Sequence, residues 1–269
     1  MVLLKPTWPQ TRREPSNRFA QHLDICLPFS EGSDGAAHDF SGYKRDATLQ
    51  STASWSVGRY GNQVTLNGSS DYLTTPYNLP TGCDLTMAVV YTPSSLPSAV
   101  KTLAGTETGG GSDHSPLTIN INQNGSGSAS SGVVQGYTYA SGSYVSTLNN
   151  AATLTVGIPQ FIVVVLINTV SISLFINGML QSGQGVGGSA TTGSGSPTFR
   201  LGGFGSLFLP GSISFAAVWR YALSDGQISR LYQDFWQMVR PLRPTRYAQQ
   251  AASFVGDDEG VMTTVRYIW

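Results

Sequence analysis

The sequence predicts an all-β fold, a single antiparallel β-sandwich with one short helix near its C-terminal end and extended arms at both ends. Three observations predict it. Charged residues are only 11% of the 269 and hydrophobic residues 40%. That charge is well below the roughly one quarter of an ordinary domain, and Gly, Ser, Thr, Asn and Gln take its place. Short β-branched runs recur between turn residues, and only one segment carries helical signals.

From the N-terminus, Pro6, Pro9, Pro15 and Pro28 stand among scattered basic and aromatic residues. Residues 1–23 read as an extended arm, with a short helical turn near 17–23. The sandwich is expected over 24–239, with strands at 63–66, 85–91, 117–121, 133–139, 161–167, 170–176, 199–201 and 212–219. Gly, Asn, Pro and Ser punctuate them. Residues 161–167 are apolar on both faces, as at the centre of a sandwich. Asn168 and Thr169 then make a short turn, and Val170, Ile172 and Leu174 alternate with Ser171, Ser173 and Phe175. Asn177-Gly178 follows, the pair a type I′ hairpin favours because both central residues need positive φ. Together these write a three-strand meander.

The stretches 105–115, 122–132 and 181–195 read as flexible loops from their Gly, Ser, Thr, Asn and Gln content. The helix is signalled by Ser224 as N-cap with Gln227 three residues later, a capping box. Leu223 and Ile228 are placed as a hydrophobic staple. Ile228, Leu231, Tyr232 and Phe235 recur at helical spacing, and Pro241 is the stop signal. Residues 240–269 read as a second arm, ending in Tyr267-Ile268-Trp269.

Lys plus Arg and Asp plus Glu each number 15, so the formal net charge is zero. This excludes a global pull toward nucleic acid or an anionic membrane. No Lys, Arg, Asp or Glu lies between His114 and Phe199, whereas Lys5, Arg12, Arg13 and Arg18 crowd one end and Arg230, Arg240, Arg243 and Arg246 the other. Basic ends are either solvated or dock on an acidic partner. Cys26 and Cys83 imply no disulfide framework; free thiols are the expectation, with a bridge the alternative. The start lacks the apolar region of a signal peptide, and the apolar run 161–167 is too short to span a bilayer. A soluble protein made in a cytoplasm is expected.

Three segments resemble the concanavalin A-like lectin/glucanase (laminin-G-like) superfamily. The first is His38-Asp39-Phe40-Ser41-Gly42 with the downstream residues 58–68 and Asp71-Tyr72-Leu73. The second is residues 173–178. The third, and most specific, is 211–232, similar to the family's returning last strand and its short helix ending in Leu231-Tyr232. The resemblance covers roughly residues 24–232 and implies a jelly-roll sandwich of two antiparallel sheets. Residues 234–241 look like the tail that follows this domain in many bacteriophage-encoded members, with Phe235 where proline is usual.

Glucanases of the superfamily use paired carboxylates on one strand, one as acid and one as nucleophile. None of the strands expected here carries such a pair. The close pairs, Glu31/Asp34 and Asp257/Asp258/Glu259, fall in polar segments. A Ser–His–Asp arrangement is also unsupported: His114 beside Asp113 and Ser115 sits in a Gly-rich loop, and Gly193-Ser194-Gly195 lacks the strand–turn–helix context of a nucleophile elbow. The chain therefore reads as non-enzymatic, with no cofactor required. Some family members bind calcium, which makes Asp39, Asp71 and Asp84 weak candidates by position; each is equally explained as a turn or capping residue. Zinc-ligand spacing is absent.

Tyr137, Tyr139 and Tyr144 cluster in one segment, and Tyr137 and Tyr139 share a strand face. They form either a sugar platform or part of the core. The resemblance and the two arms imply a phage virion structural protein, a capsid decoration or head/tail accessory subunit made in the host bacterial cytoplasm. Its expected partners are the major capsid protein and further copies of itself. Trp236, Arg240, Arg243, Arg246, Tyr267 and Trp269 are the expected assembly contacts. The alternative is a carbohydrate-binding adhesion module for host-surface glycans.

Overall fold

A computed structural model describes residue 5 and residues 11–106, 115–123, 129–140, 143–147, 154–186 and 198–241. In chain order the strands are β1 (Thr11–Arg13), β2 (Leu23–Leu27), β3 (Ala36–Ala37), β4 (Ala47–Gln50), β5 (Ser54–Gly58), β6 (Gly61–Asn67), β7 (Tyr72–Thr74), β8 (Leu85–Pro93) and β9 (Lys101–Gly105). There follow β10 (Thr118–Gln123), β11 (Ala129–Ala140), β12 (Ser143–Ser146), β13 (Gln160–Ile167), β14 (Ser171–Ile176), β15 (Met179–Gly185), β16 (Arg200–Leu201), β17 (Pro210–Trp219) and β18 (Val239–Pro241). One α-helix, α1 (Asp225–Gln233), lies between the last two strands, and a 3-10 turn spans Arg18–Ala20.

Two antiparallel sheets pack face to face. Sheet I has the order β12-β11-β10-β9-β16-β7-β4-β3, and sheet II the order β15-β14-β13-β8-β17-β6-β5. β17 is long enough to take two partners along one edge: β6 pairs with its Pro210–Ile213 half and β2 with Ala216–Trp219. The inter-sheet core follows from period-two alternation. Met87, Val89, Ile162, Val164, Ile172 and Leu174 of sheet II meet Leu73, Leu103, Ile119, Ile121, Val134 and Leu201 of sheet I. At Gly136 of β11 a Cβ would come 2.6 Å from Val164 Cγ1, so only glycine lets the sheets approach there.

The meander is as its residues imply. β13 lies between β8 and β14 and is buried on both faces, with Ile162 and Val164 inward and Phe161 and Val163 outward. Thr169 (φ 65°) turns the chain into β14, and Asn177 (φ 52°) and Gly178 (φ 79°) turn it into β15. Gln227 Oε1 accepts the Ser224 N–H at 2.8 Å, one half of the capping box.

Several expectations are corrected. The 181–195 loop begins later, because β15 continues to Gly185, and the 122–132 loop is shortened by β11 starting at Ala129; the remaining parts of the three loops lie outside the described residues. The helix stops at Gln233, not at Pro241, because Asp234 is extended (φ −156°) and frees Phe235 to turn inward. Residues 11–23, expected in an arm, belong to the body: β1 pairs with β18, and Phe19, Ala20 and Leu23 are buried. Together with α1, these segments cover the outer face of sheet II, where Val90, Phe161, Val163, Phe215 and Trp219 pack against Phe19, Ile228, Leu231, Phe235, Trp236 and Met238. Cys26 and Cys83 are free thiols. Among the described residues no helix is long and apolar enough to cross a membrane.

Candidate functional site

The two outer faces of the sandwich differ. That of sheet II is covered at its centre by apolar side chains of residues 19–23 and 228–239, with a polar row of Ser56, Thr65 and Ser212 to one side. That of sheet I carries polar and aromatic side chains in cross-strand rows. Thr102 of β9, Asn120 of β10 and Gln135 of β11 stand opposite one another in register, and Thr118 pairs with Tyr137 in the next outward row. Alternation places them there, since Ile119, Ile121 and Val134 between them face the core.

Two side-chain pairs of this row are hydrogen-bonded below the surface. Thr102 Oγ1 donates to Asn120 Oδ1 at 3.0 Å, and the Tyr137 hydroxyl donates to Gln135 Oε1. Thr102, Thr118, Asn120 and Gln135 are all buried, whereas Tyr137 and Tyr139 are half-buried and reach the surface. The bond to Gln135 holds the Tyr137 ring in one orientation. Thr118 Oγ1 is buried without a hydrogen-bond partner.

Tyr144 sits in β12, its backbone paired with that of Tyr139; its side chain lies outside the described residues. Sequence reasoning missed a second aromatic group on this face. Tyr72 of β7 and Phe208 have ring centroids 6.0 Å apart, and the Arg200 guanidinium of β16 lies 5.0 Å from the Tyr72 centroid. The signal was present as Tyr72-Leu73-Thr74, in which Leu73 alone faces the core. β11 and β16 are three strands apart and β11 and β7 four, so at ~4.8 Å per strand the two aromatic groups are separated by about 14–19 Å.

The three calcium candidates are not brought together. Asp39 Oδ1 accepts the Cys26 and Ser41 N–H groups at 2.9 and 2.8 Å, and Oδ2 accepts the Ser41 hydroxyl at 2.6 Å and the Arg45 N–H at 3.0 Å. Asp71 accepts the Thr52 N–H and hydroxyl at 2.9 and 2.8 Å and the Asn67 N–H at 2.9 Å. Asp84 accepts the Asn168 N–H at 2.9 Å, holding the β13–β14 turn. These carboxylates organise loops through the chain's own donors. Among the described residues no three His, Cys, Asp or Glu side chains are grouped to hold a metal.

The assembly residues divide. Trp236 is corrected: it is 3% exposed and packs edge-on against Phe215 and Phe235 under the outer face of sheet II. Its burial depends on a face formed by distant strands, Phe215 of β17 and Phe161 of β13 among them. Arg240 lies in β18 with its backbone paired to Arg12, and its side chain is outside the described residues, as are Arg243, Arg246, Tyr267 and Trp269.

Fold and faces together define a lectin-like β-sandwich. The laminin G-type model of the concanavalin A-like lectin/glucanases superfamily matches residues 67–229, more than half of the chain, and the chain belongs to this superfamily. No curated protein matches it by sequence. Solved structures share the fold at low identity. The binding domain of Paraclostridial Mosquitocidal Protein 1 superposes with a TM-score of 0.64 at 11% identity, over 82% of this chain and 54% of that one. Domain 4 of AbnA, an extracellular arabinanase of Geobacillus stearothermophilus solved with arabinotriose, has a TM-score of 0.60 at 16% identity, over 78% of this chain and 98% of that one. The botulinum neurotoxin serotype D ligand binding domain, solved with N-acetylneuraminic acid, has a TM-score of 0.58 at 14% identity, over 80% of this chain and 51% of that one. The chain thus spans about half the length of the two toxin chains.

Proposed function

We propose that this chain is a non-catalytic carbohydrate-binding domain that takes an oligosaccharide across the outer face of sheet I. The observation that carries the reading is the contrast between the faces. The centre of the sheet II face is covered by apolar packing, while that of sheet I brings Tyr137 and Tyr139 to the surface over buried polar side chains, with Tyr72 and Phe208 three to four strands away. Aromatic faces stack on the apolar side of a sugar ring, and fixed polar groups supply orientation. The spacing of the two groups suits several sugar units better than one. The superfamily match supports the reading, as do the two similar domains solved with arabinotriose and N-acetylneuraminic acid. The central strands β8, β13, β14 and β17 carry no carboxylate, so the acid–nucleophile pair of a glycosidase has no place on them.

A glycan array followed by calorimetry tests this. Saturable binding is expected, lost on Tyr139→Ala and Tyr72→Ala with the melting temperature kept; an array without hits refutes it. A second reading, a virion subunit, is favoured by one register. Thr11 pairs with Pro241, which puts the start of the 242–269 segment beside the N-terminal strand, where one partner can engage both. Deleting residues 242–269 then prevents incorporation into particles, and normal incorporation excludes that role.

A further inference from the structure

Away from the sheet I face, one pole of the sandwich gathers two arginines around a single buried carboxylate. Asp24 of β2 is 6% exposed at its side chain. Its Oδ2 accepts the Tyr77 hydroxyl at 2.7 Å and Arg220 Nε at 3.1 Å; its Oδ1 lies 3.5 Å from Arg220 Nη2 and from Arg45 Nη1. Arg45 Nη1 also donates to the Asp24 carbonyl at 2.8 Å. The Arg45 guanidinium is stacked between Tyr43 and Tyr77, 4.4 and 4.3 Å from their centroids. Burial, together with the bond to Asp24, pushes Tyr77 well above the ordinary phenol range and keeps it a donor. Asp84, nearby in the chain beyond Cys83, is engaged by the Asn168 amide.

The arrangement leaves donors over. One carboxylate cannot satisfy two guanidinium forks, and among the described residues Arg220 Nη1 and Arg45 Nη2 make no hydrogen bond. Arg220 is 52% exposed and opens to solvent, whereas Arg45 is 23% exposed and lies against Tyr43, itself 61% exposed. Buried ion pairs contribute little net stability compared with apolar packing. Two forks on a shared anchor, one of them also held flat by stacking, are, however, a preorganised receptor for a second carboxylate.

We propose that Arg220 and Arg45, positioned by Asp24, bind the carboxylate of an acidic sugar, with Tyr43 as the platform for its ring. This rests on the carbohydrate-binding reading and names a ligand class for it. The test is calorimetry at low salt with two acid–neutral pairs, 3′-sialyllactose against lactose and trigalacturonate against its methyl ester. At least one acid should bind roughly tenfold or more tightly than its neutral partner, the size of a charge-assisted contact. That preference should fall to about one in Arg220→Gln, which retains the Tyr77 and Arg45 contacts to Asp24, and in the surface variant Tyr43→Ala should weaken with no change in melting temperature. The sialic and uronic arms tell the two acid sources apart. Equal binding of acids and neutrals overturns the inference and leaves the glycan reading standing; no binding by any of the four, with no hit on the array, overturns both. Displacement of the acid by equimolar sulfate marks a plain anion site and overturns the sugar assignment.

Discussion

Trp236→Ala distinguishes a core role for this ring from the role in assembly that its sequence context suggests. The indole is 3% exposed, 4.7 Å from the Phe235 centroid at 64° and 5.3 Å from that of Phe215 at 84°. Truncating a buried tryptophan to alanine costs about 3–5 kcal/mol in transfer and cavity terms. Loss of two edge-on ring pairs adds to this, at about 0.5–1.5 kcal/mol each. One contribution offsets it: Trp236 Nε1 is buried without a partner, and removing that N–H returns about 1 kcal/mol. The expected net loss is about 3–7 kcal/mol, a fall of roughly 6–28 °C in melting temperature at 2–4 °C per kcal/mol for a chain of this size. Urea unfolding followed by near-UV circular dichroism and calorimetry measures both. Trp236→Phe keeps a ring in the site and should lose less than half as much. A drop below about 2 °C for Trp236→Ala would put the ring outside the core and refute the packing argument; a defect confined to partner binding would restore it as an assembly contact.

Two further predictions concern stability. Burial pulls Lys5 down to about 7, with Glu31 opposing. The unfolded chain holds that proton up to about 10.5 and so binds more protons than the folded one between these values. Stability should therefore rise with pH from 7 to 9, by at most about 1.4 kcal/mol per unit, and Lys5→Met should flatten that slope in urea titrations; an unchanged slope would mean that the ammonium keeps its charge against the Asn62 and Ser214 carbonyls. Gly136→Ala should cost about 1–3 kcal/mol through overpacking against Val164. Val164→Ala should recover part of that loss in the double variant, and strict additivity of the two losses would show that the sheets do not meet there.

Local pattern made much of this molecule legible. The 161–180 meander, its two turns and the start of α1 follow from period-two alternation, the Asn177-Gly178 pair and Ser224/Gln227, each of which acts within a few residues. Short strands such as β3, β4 and β16 were harder, because two to four residues show no period and are held by neighbours already in the sheet. Tyr137 and Tyr139 could be put on one face from the sequence, but not on an outer face, since alternation does not say which side is the core. Tyr72, Phe208 and Arg200 were legible singly and not as a group.

By itself, then, the sequence determined an all-β sandwich of the lectin-like superfamily whose central strands lack carboxylates, because strand period and residue chemistry are local properties. Only the tertiary structure decided that residues 19–23 and 228–239 cover the centre of one outer face, that Trp236 is core and that Asp24 meets Arg220 across 196 positions of the chain. The reason is physical: such contacts follow from which strands become neighbours, a choice made by the packing of the whole sheet and written in no single segment.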